Sequence, residues 1–192
     1  MHDDVWLFMN HIYNLLTSTD LDSPFRKMIL EKRRMGEIFI SYKNTDVLFA
    51  SELFCKLARE KQLNVWFDNV VLKGGDEYEA VIREAILQSK IFIPILSPAI
   101  SKDLEDKGER IDTFYSKEWR WASENNQLTV LPVTIGGYDL RSPEHQVFER
   151  ILKHKTSGID MYEKPNNFLV NEKTGFAKLL DSIYKQLGVT EP

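Results

Sequence analysis

From Glu37 onward, short apolar runs of strand length alternate with longer segments whose apolar residues recur at helical spacing. The runs are Glu37–Tyr42, Leu63–Phe67, Ile91–Leu96, Leu128–Ile135 and Ser157–Asp160. Between and after them, Asp46–Glu60, Asp76 to about Ser89, Phe114–Asn125, Ser142 to about His154 and Thr174–Leu187 read as helices. A strand that returns through a helix lies parallel to the strand before it, and parallel sheets are covered on both faces. The alternation therefore commits the chain to an α/β fold of three layers with a five-stranded parallel sheet and right-handed crossovers. A chain of 192 residues suffices for one such domain with an appendage.

The appendage is residues 1–35, a helical N-terminal arm; residues 36–192 form the main domain. In the arm, Val5, Phe8, Met9, Ile12, Leu15 and Leu16 recur at helical spacing. Ser23-Pro24 then opens a second short helix with a basic end, Lys32-Arg33-Arg34. Within the main domain, Asp76 followed by Glu79 has the spacing of a capping box. Pro94 removes a ladder donor from the third strand and predicts a distortion or a shortened strand there. Residues 98–113 read as a charged surface loop.

Charge and composition exclude several function classes. A net charge of −4 gives neither a nucleic-acid backbone nor an anionic membrane a basic footprint, so neither is expected as a partner. No apolar run reaches the roughly 20 residues that span a bilayer, and the acidic Asp3 and Asp4 do not suit a signal peptide. The one cysteine, Cys55, excludes an internal disulfide and reads as a small buried hydrophobe in a reducing, cytoplasmic setting. His2, His11, His145 and His154 lack metal-ligand spacing, so no metal is expected. A Gly-rich dinucleotide turn, a Walker-type lysine motif and a Gly-x-Ser-x-Gly elbow are all missing. The phosphoreceiver layout fails because Leu96-Ser97-Pro98 holds no acceptor acid.

Ligands of open parallel sheets bind outside the carboxyl ends of the strands. There the chain places Ser41-Tyr42-Lys43, Phe67-Asp68-Asn69 and Ser97-Pro98. The turn Ser41–Asp46 suits a phosphate ahead of a helix N-terminus, and equally a plain turn capped by Thr45 or Asp46. Trp66 stands beside the same crevice, although a strand tryptophan is by default a core residue. Trp119 and Trp121 read as packing residues. Phe114 and Glu118, four residues apart, share one face of their helix. An aromatic plate beside a carboxylate suits a flat cationic or nucleoside-like ligand, and the same face serves equally for packing.

Several of these motifs, in order, resemble a Toll/interleukin-1 receptor (TIR) domain. Glu37-Ile38-Phe39-Ile40-Ser41-Tyr42 with Asp46 is similar to the family's first box. Val65-Trp66-Phe67-Asp68 and Leu72-Lys73-Gly74-Gly75-Asp76 are similar to its second strand and BB loop. Ile91–Ser97-Pro98 and Val130-Leu131-Pro132-Val133 resemble its third and fourth strands. The resemblance covers about residues 36–187 and implies the flavodoxin-like fold.

One branch of the family cleaves NAD+ with a glutamate placed four residues after an aromatic, often Trp, on the helix after the third strand. Glu118 matches as the catalytic residue, with Phe114 in the aromatic position, and Glu118-Trp119 resembles prokaryotic members. Glu124 lacks the aromatic partner. The resemblance implies that Ser41, Tyr42, Lys43, Asp46, Trp66, Asp68 and Phe114 meet NAD+, which is the substrate, with no cofactor required. It further implies self-association through Val70, Val71, Leu72, Lys73 and Gly74 of the BB loop. The expected function is an NAD+ glycohydrolase giving ADP-ribose or a cyclic isomer, in antiviral defence or cell-death signalling, with an upstream sensor or a downstream effector protein as further partners. The alternatives are a non-catalytic adaptor module and an effector acting on host TIR signalling, both assembling through the BB loop.

Overall fold

The computed structural model describes residues 37–60, 63–67, 76–100, 114–136, 159–160 and 175–189, with positions 138, 141, 146, 148 and 149. The arm 1–35, Asp68, the BB-loop residues Val70–Gly74 and most of the charged loop lie outside the described residues. The strands are β1 (Ile38–Ser41), β2 (Val65–Phe67), β3 (Ile91–Leu96), β4 (Thr129–Val130), β5 (Val133–Thr134) and β6 (Ile159–Asp160). The helices are α1 (Val47–Arg59), α2 (Asp76–Gln88), α3 (Phe114–Glu124) and α4 (Gly175–Leu187).

All strand pairs are parallel, in the order β2-β1-β3-β5-β6. β4 pairs with β3 ahead of β5, through Ile91 and Phe92, while β5 pairs through Ile95 and Leu96. The two short segments thus continue one line, and the sheet has five strand positions. This is the flavodoxin-like arrangement expected, with one difference in detail. The fourth strand is divided at Leu131-Pro132, whereas β3, expected to suffer from Pro94, runs its full six residues.

The hydrogen-bond ladder explains the difference. The carbonyls of Lys90, Phe92 and Leu96 accept from Thr129, Leu131 and Ile135. Even-numbered residues of β3 therefore turn their polar groups toward the fourth strand, and Pro94 is one of them. Its missing donor falls opposite the Leu131 region, so the distortion appears in the neighbour.

Side-chain alternation sorts the core into two halves. Ile38, Ile40, Phe67, Ile91, Ile93 and Ile95 pack with Leu53 and Leu57 of α1 and Leu179 and Ile183 of α4. On the other face Phe39, Trp66, Phe92 and Leu96 pack with Ile82 and Ile86 of α2 and with Tyr115, Trp119 and Ala122 of α3. Each fully buried Leu or Ile stabilises the fold by about 1.5–3 kcal/mol relative to exposure. Cys55 is half-buried, and burial raises its thiol above the usual value, in keeping with a packing role.

α2 begins at Asp76, and the Glu79 carboxylate takes a bond from Lys117 Nζ at 2.6 Å; the side chain of Asp76 lies outside the described residues. Asp46 precedes α1 after the 3-10 turn Asn44–Asp46, but its side chain makes no cap bond.

Candidate active site at the carboxyl edge of the sheet

β1 delivers Ser41 to this edge. Phe39, two residues earlier, belongs to the α2/α3 half of the core, and Ser41 points the same way because strand side chains repeat every second residue. Across that face runs α3. Its buried residues are Tyr115, Ser116, Glu118, Trp119 and Ala122, and all but Ser116 follow the spacing at which a surface helix presents its apolar side. Glu118 thus occupies a core position. It is only 4% exposed, and its Oε2 accepts a hydrogen bond of 2.5 Å from the Oγ of the wholly buried Ser41.

The rest of the stripe fixes α3 in place. Tyr115 donates its hydroxyl proton to the Ile95 carbonyl at 2.6 Å. Trp119 packs edge-on against Tyr115 and against Phe148, with centroids 4.7 Å apart in both pairs. Burial first, and then the charges of Glu118 and Asp46, push the Tyr115 phenol well above its usual value. It therefore stays a neutral donor, and both carboxylates lie within electrostatic reach of one ring.

A second set of bonds ties the exits of β1 and β3 together. Ser97 Oγ donates to Asp46 Oδ2 at 2.6 Å and accepts from the Ala99 amide at 3.3 Å. Lys43 Nζ donates to the Ala99 carbonyl at 2.5 Å. Burial raises the Asp46 carboxyl above its ordinary value, while the Ser97 bond and the Lys43 charge oppose that rise.

The structure brings together Ser41 and Glu118, and beside them Lys43 and Asp46. It does not bring Tyr42 or Trp66 to the same place. Tyr42 follows Ser41 and so points to the opposite face, where its ring stacks on Phe67 at 5.2 Å. Trp66 is 3% exposed and stacks on Phe39 at 4.6 Å, one rung beneath Ser41. The core default for a strand tryptophan thus describes it, and aromatic burial is the physical reason. Phe114 is the first residue of α3, and only its backbone is described. Ser97, which the sequence placed at this edge, was not among the residues expected to meet the ligand, and Tyr115 was missed because nothing local marks it. Among the described residues no His, Cys, Asp and Glu cluster with metal-binding geometry.

Chemically, the edge offers one buried, hydrogen-bonded carboxylate, a serine hydroxyl, a lysine held at the mouth and a second carboxylate of raised pKa. That set suits a polyhydroxylated substrate that develops positive charge.

A family model described as TIR domain matches residues 38–179. Among solved structures, the chain is similar to the TIR domains in the "activated Roq1 resistosome directly recognizing the pathogen effector XopQ". That match has 20% identity and a TM-score of 0.49, over 76% of this chain and 98% of the other. No curated protein matches the chain.

Proposed function

Because the chain belongs to the TIR domain family, we propose that it is an NAD+ glycohydrolase with Glu118 as its catalytic carboxylate. One observation carries the reading: a carboxylate occupies an apolar-stripe position on α3, at the sheet edge where such folds bind ligands. Burying a carboxylate costs free energy that the Ser41 hydroxyl offsets in part. A buried ionisable group at the ligand-binding edge of such a sheet supports the reading of a site kept for chemistry.

The chemistry follows from the substrate. The nicotinamide of NAD+ is a cationic leaving group, so the electron pair of its bond to ribose C1′ departs onto the ring nitrogen without a general acid. Positive charge then develops on the ribose, as in glycoside cleavage. Glu118 stabilises that charge and orients the ribose hydroxyls, with Ser41 holding one of its oxygens in place. Attack by water at C1′, with loss of a proton, gives ADP-ribose; attack by an adenine nitrogen gives a cyclic isomer. Phe114 offers a stacking plate, and Lys43 and Asp46 supply polar partners at the mouth. Tyr42 and Trp66 act as core support beneath the site rather than as ligand contacts. The reading includes self-association through Val70, Val71, Leu72, Lys73 and Gly74, and a role in antiviral defence or cell-death signalling by NAD+ consumption.

The test is nicotinamide release from NAD+ by the purified protein. Wild type releases it, and E118Q does not, while the thermal midpoint of E118Q is unchanged or higher because a buried charge has been removed. A wild-type protein that leaves NAD+ intact would return the chain to the adaptor class. Full activity in E118Q would displace Glu118 from its role.

A further inference from the structure

We infer that Glu79 and Lys117 form a positioning pair that holds the Glu118 carboxylate against Ser41. The inference rests on the reading of Glu118 as the catalytic residue. Lys117 is the residue before Glu118, and its Nζ lies 2.6 Å from Glu79 Oε1, the fourth residue of α2. A second cross-helix pair, Arg83 to Glu124 at 2.8 Å, joins the middle of α2 to the last residue of α3.

The sheet side of α3 is fixed by the Tyr115–Ile95 bond and by the packing of Trp119. The Lys117–Glu79 contact adds a restraint against roll about the helix axis on the α2 side of α3. A roll of about 20° carries a group ~5 Å from the axis by nearly 2 Å, which is ample to break the Ser41–Glu118 bond. Lys117 stands about 100° from Glu118 around the helix, so a tether there resists the roll that would carry the carboxylate off Ser41.

With Lys117 33% and Glu79 44% exposed, the pair adds little to global stability. Its consequence is geometric.

The experiment uses the full chain with E79Q, K117M, K117R and R83M, followed by nicotinamide release. A misplacement of this size predicts a kcat about tenfold lower in both E79Q and K117M, with KM within about twofold. K117R, which keeps the pair, recovers most of the loss, and R83M stays within about twofold of wild type. A simple charge effect predicts otherwise. E79Q removes a negative charge and K117M a positive one, so electrostatics alone shifts activity in opposite directions. Opposite effects, unchanged kcat in both variants, or an equal loss in R83M overturn the pair as a positioning device.

If wild type releases no nicotinamide, the proposed reaction fails, but the geometry is still read by carboxyl-carbon NMR. The Glu118 resonance is identified by its disappearance in E118Q. The same displacement in E79Q and K117M, absent in R83M, supports the pair; no displacement in either overturns it.

Discussion

At the scale of single residues, the carboxyl edge carries polar groups at buried positions, among them Ser41, Ser97 and Glu118. Glu118 is the clearest, since its neighbours in the stripe are Tyr115, Trp119 and Ala122. The sequence pointed to it through its spacing from Phe114, but its partner Ser41 lies 77 positions away and no local pattern joins the two. Asp46 behaves differently. Its carboxyl is raised above 3.8 chiefly by burial, so the folded state binds the proton more tightly than the unfolded chain. Stability on its account is full below the ordinary value and is lost as pH rises through the raised one. Asn at this position keeps an acceptor for Ser97 without the charge. D46N is therefore expected to melt above wild type at pH 7, with the gap closing as pH falls through the raised value toward 3.8. Thermal melts across that range check it; a gap that widens on acidification contradicts the assignment.

At the scale of elements, the helices show why periodicity was the readable signal. α1 buries Ala50, Leu53 and Leu57 against the sheet, while Leu48 on the same helix stands 72% exposed. Both leucines have the same helix propensity, and only one has neighbours on every side. Leu57→Ala is expected to cost about 2–5 kcal/mol by cavity formation, and Leu48→Ala no more than about 0.5 kcal/mol. Denaturant unfolding of the two variants checks this, and equal losses would mean that the face is misassigned. Boundaries and caps were less legible. Asp46 stands where a cap is expected, yet its carboxylate goes to Ser97, because a nearby strand exit offers a better-oriented hydroxyl. The division of the fourth strand has a local sign in Pro132, but the share due to Pro94 of its neighbour could not be read from the strand's own residues.

At the scale of the whole molecule, the sheet order places β1 and β3 side by side at its centre. Ser41 and Ser97, which end these strands, are thereby neighbours at one edge with α3 above them. No helix among the described residues is long and apolar enough to cross a membrane. The apolar residues Val70, Val71 and Leu72 lead to a prediction at this scale. Specific NAD+-cleaving activity is expected to rise with protein concentration, and Leu72→Ala to lower it most in dilute solution. Turnover across a dilution series with light scattering checks it, and flat activity with a constant monomer mass would remove assembly from the reading. By itself, the sequence determined the alternation of strands and helices, the parallel sheet covered on both faces, the family and the choice of Glu118. Those are set by local periodicity and motif order, which each stretch of chain carries within itself. Only the tertiary structure decided that Ser41 meets Glu118, that Tyr42 and Trp66 pack away from them, and that Lys117 is held by Glu79. Alternation puts Ser41 and Tyr42 on opposite faces, but which face α3 covers depends on the path of the crossovers. A hydrogen bond between distant residues likewise exists only once sheet order and register have fixed their distance.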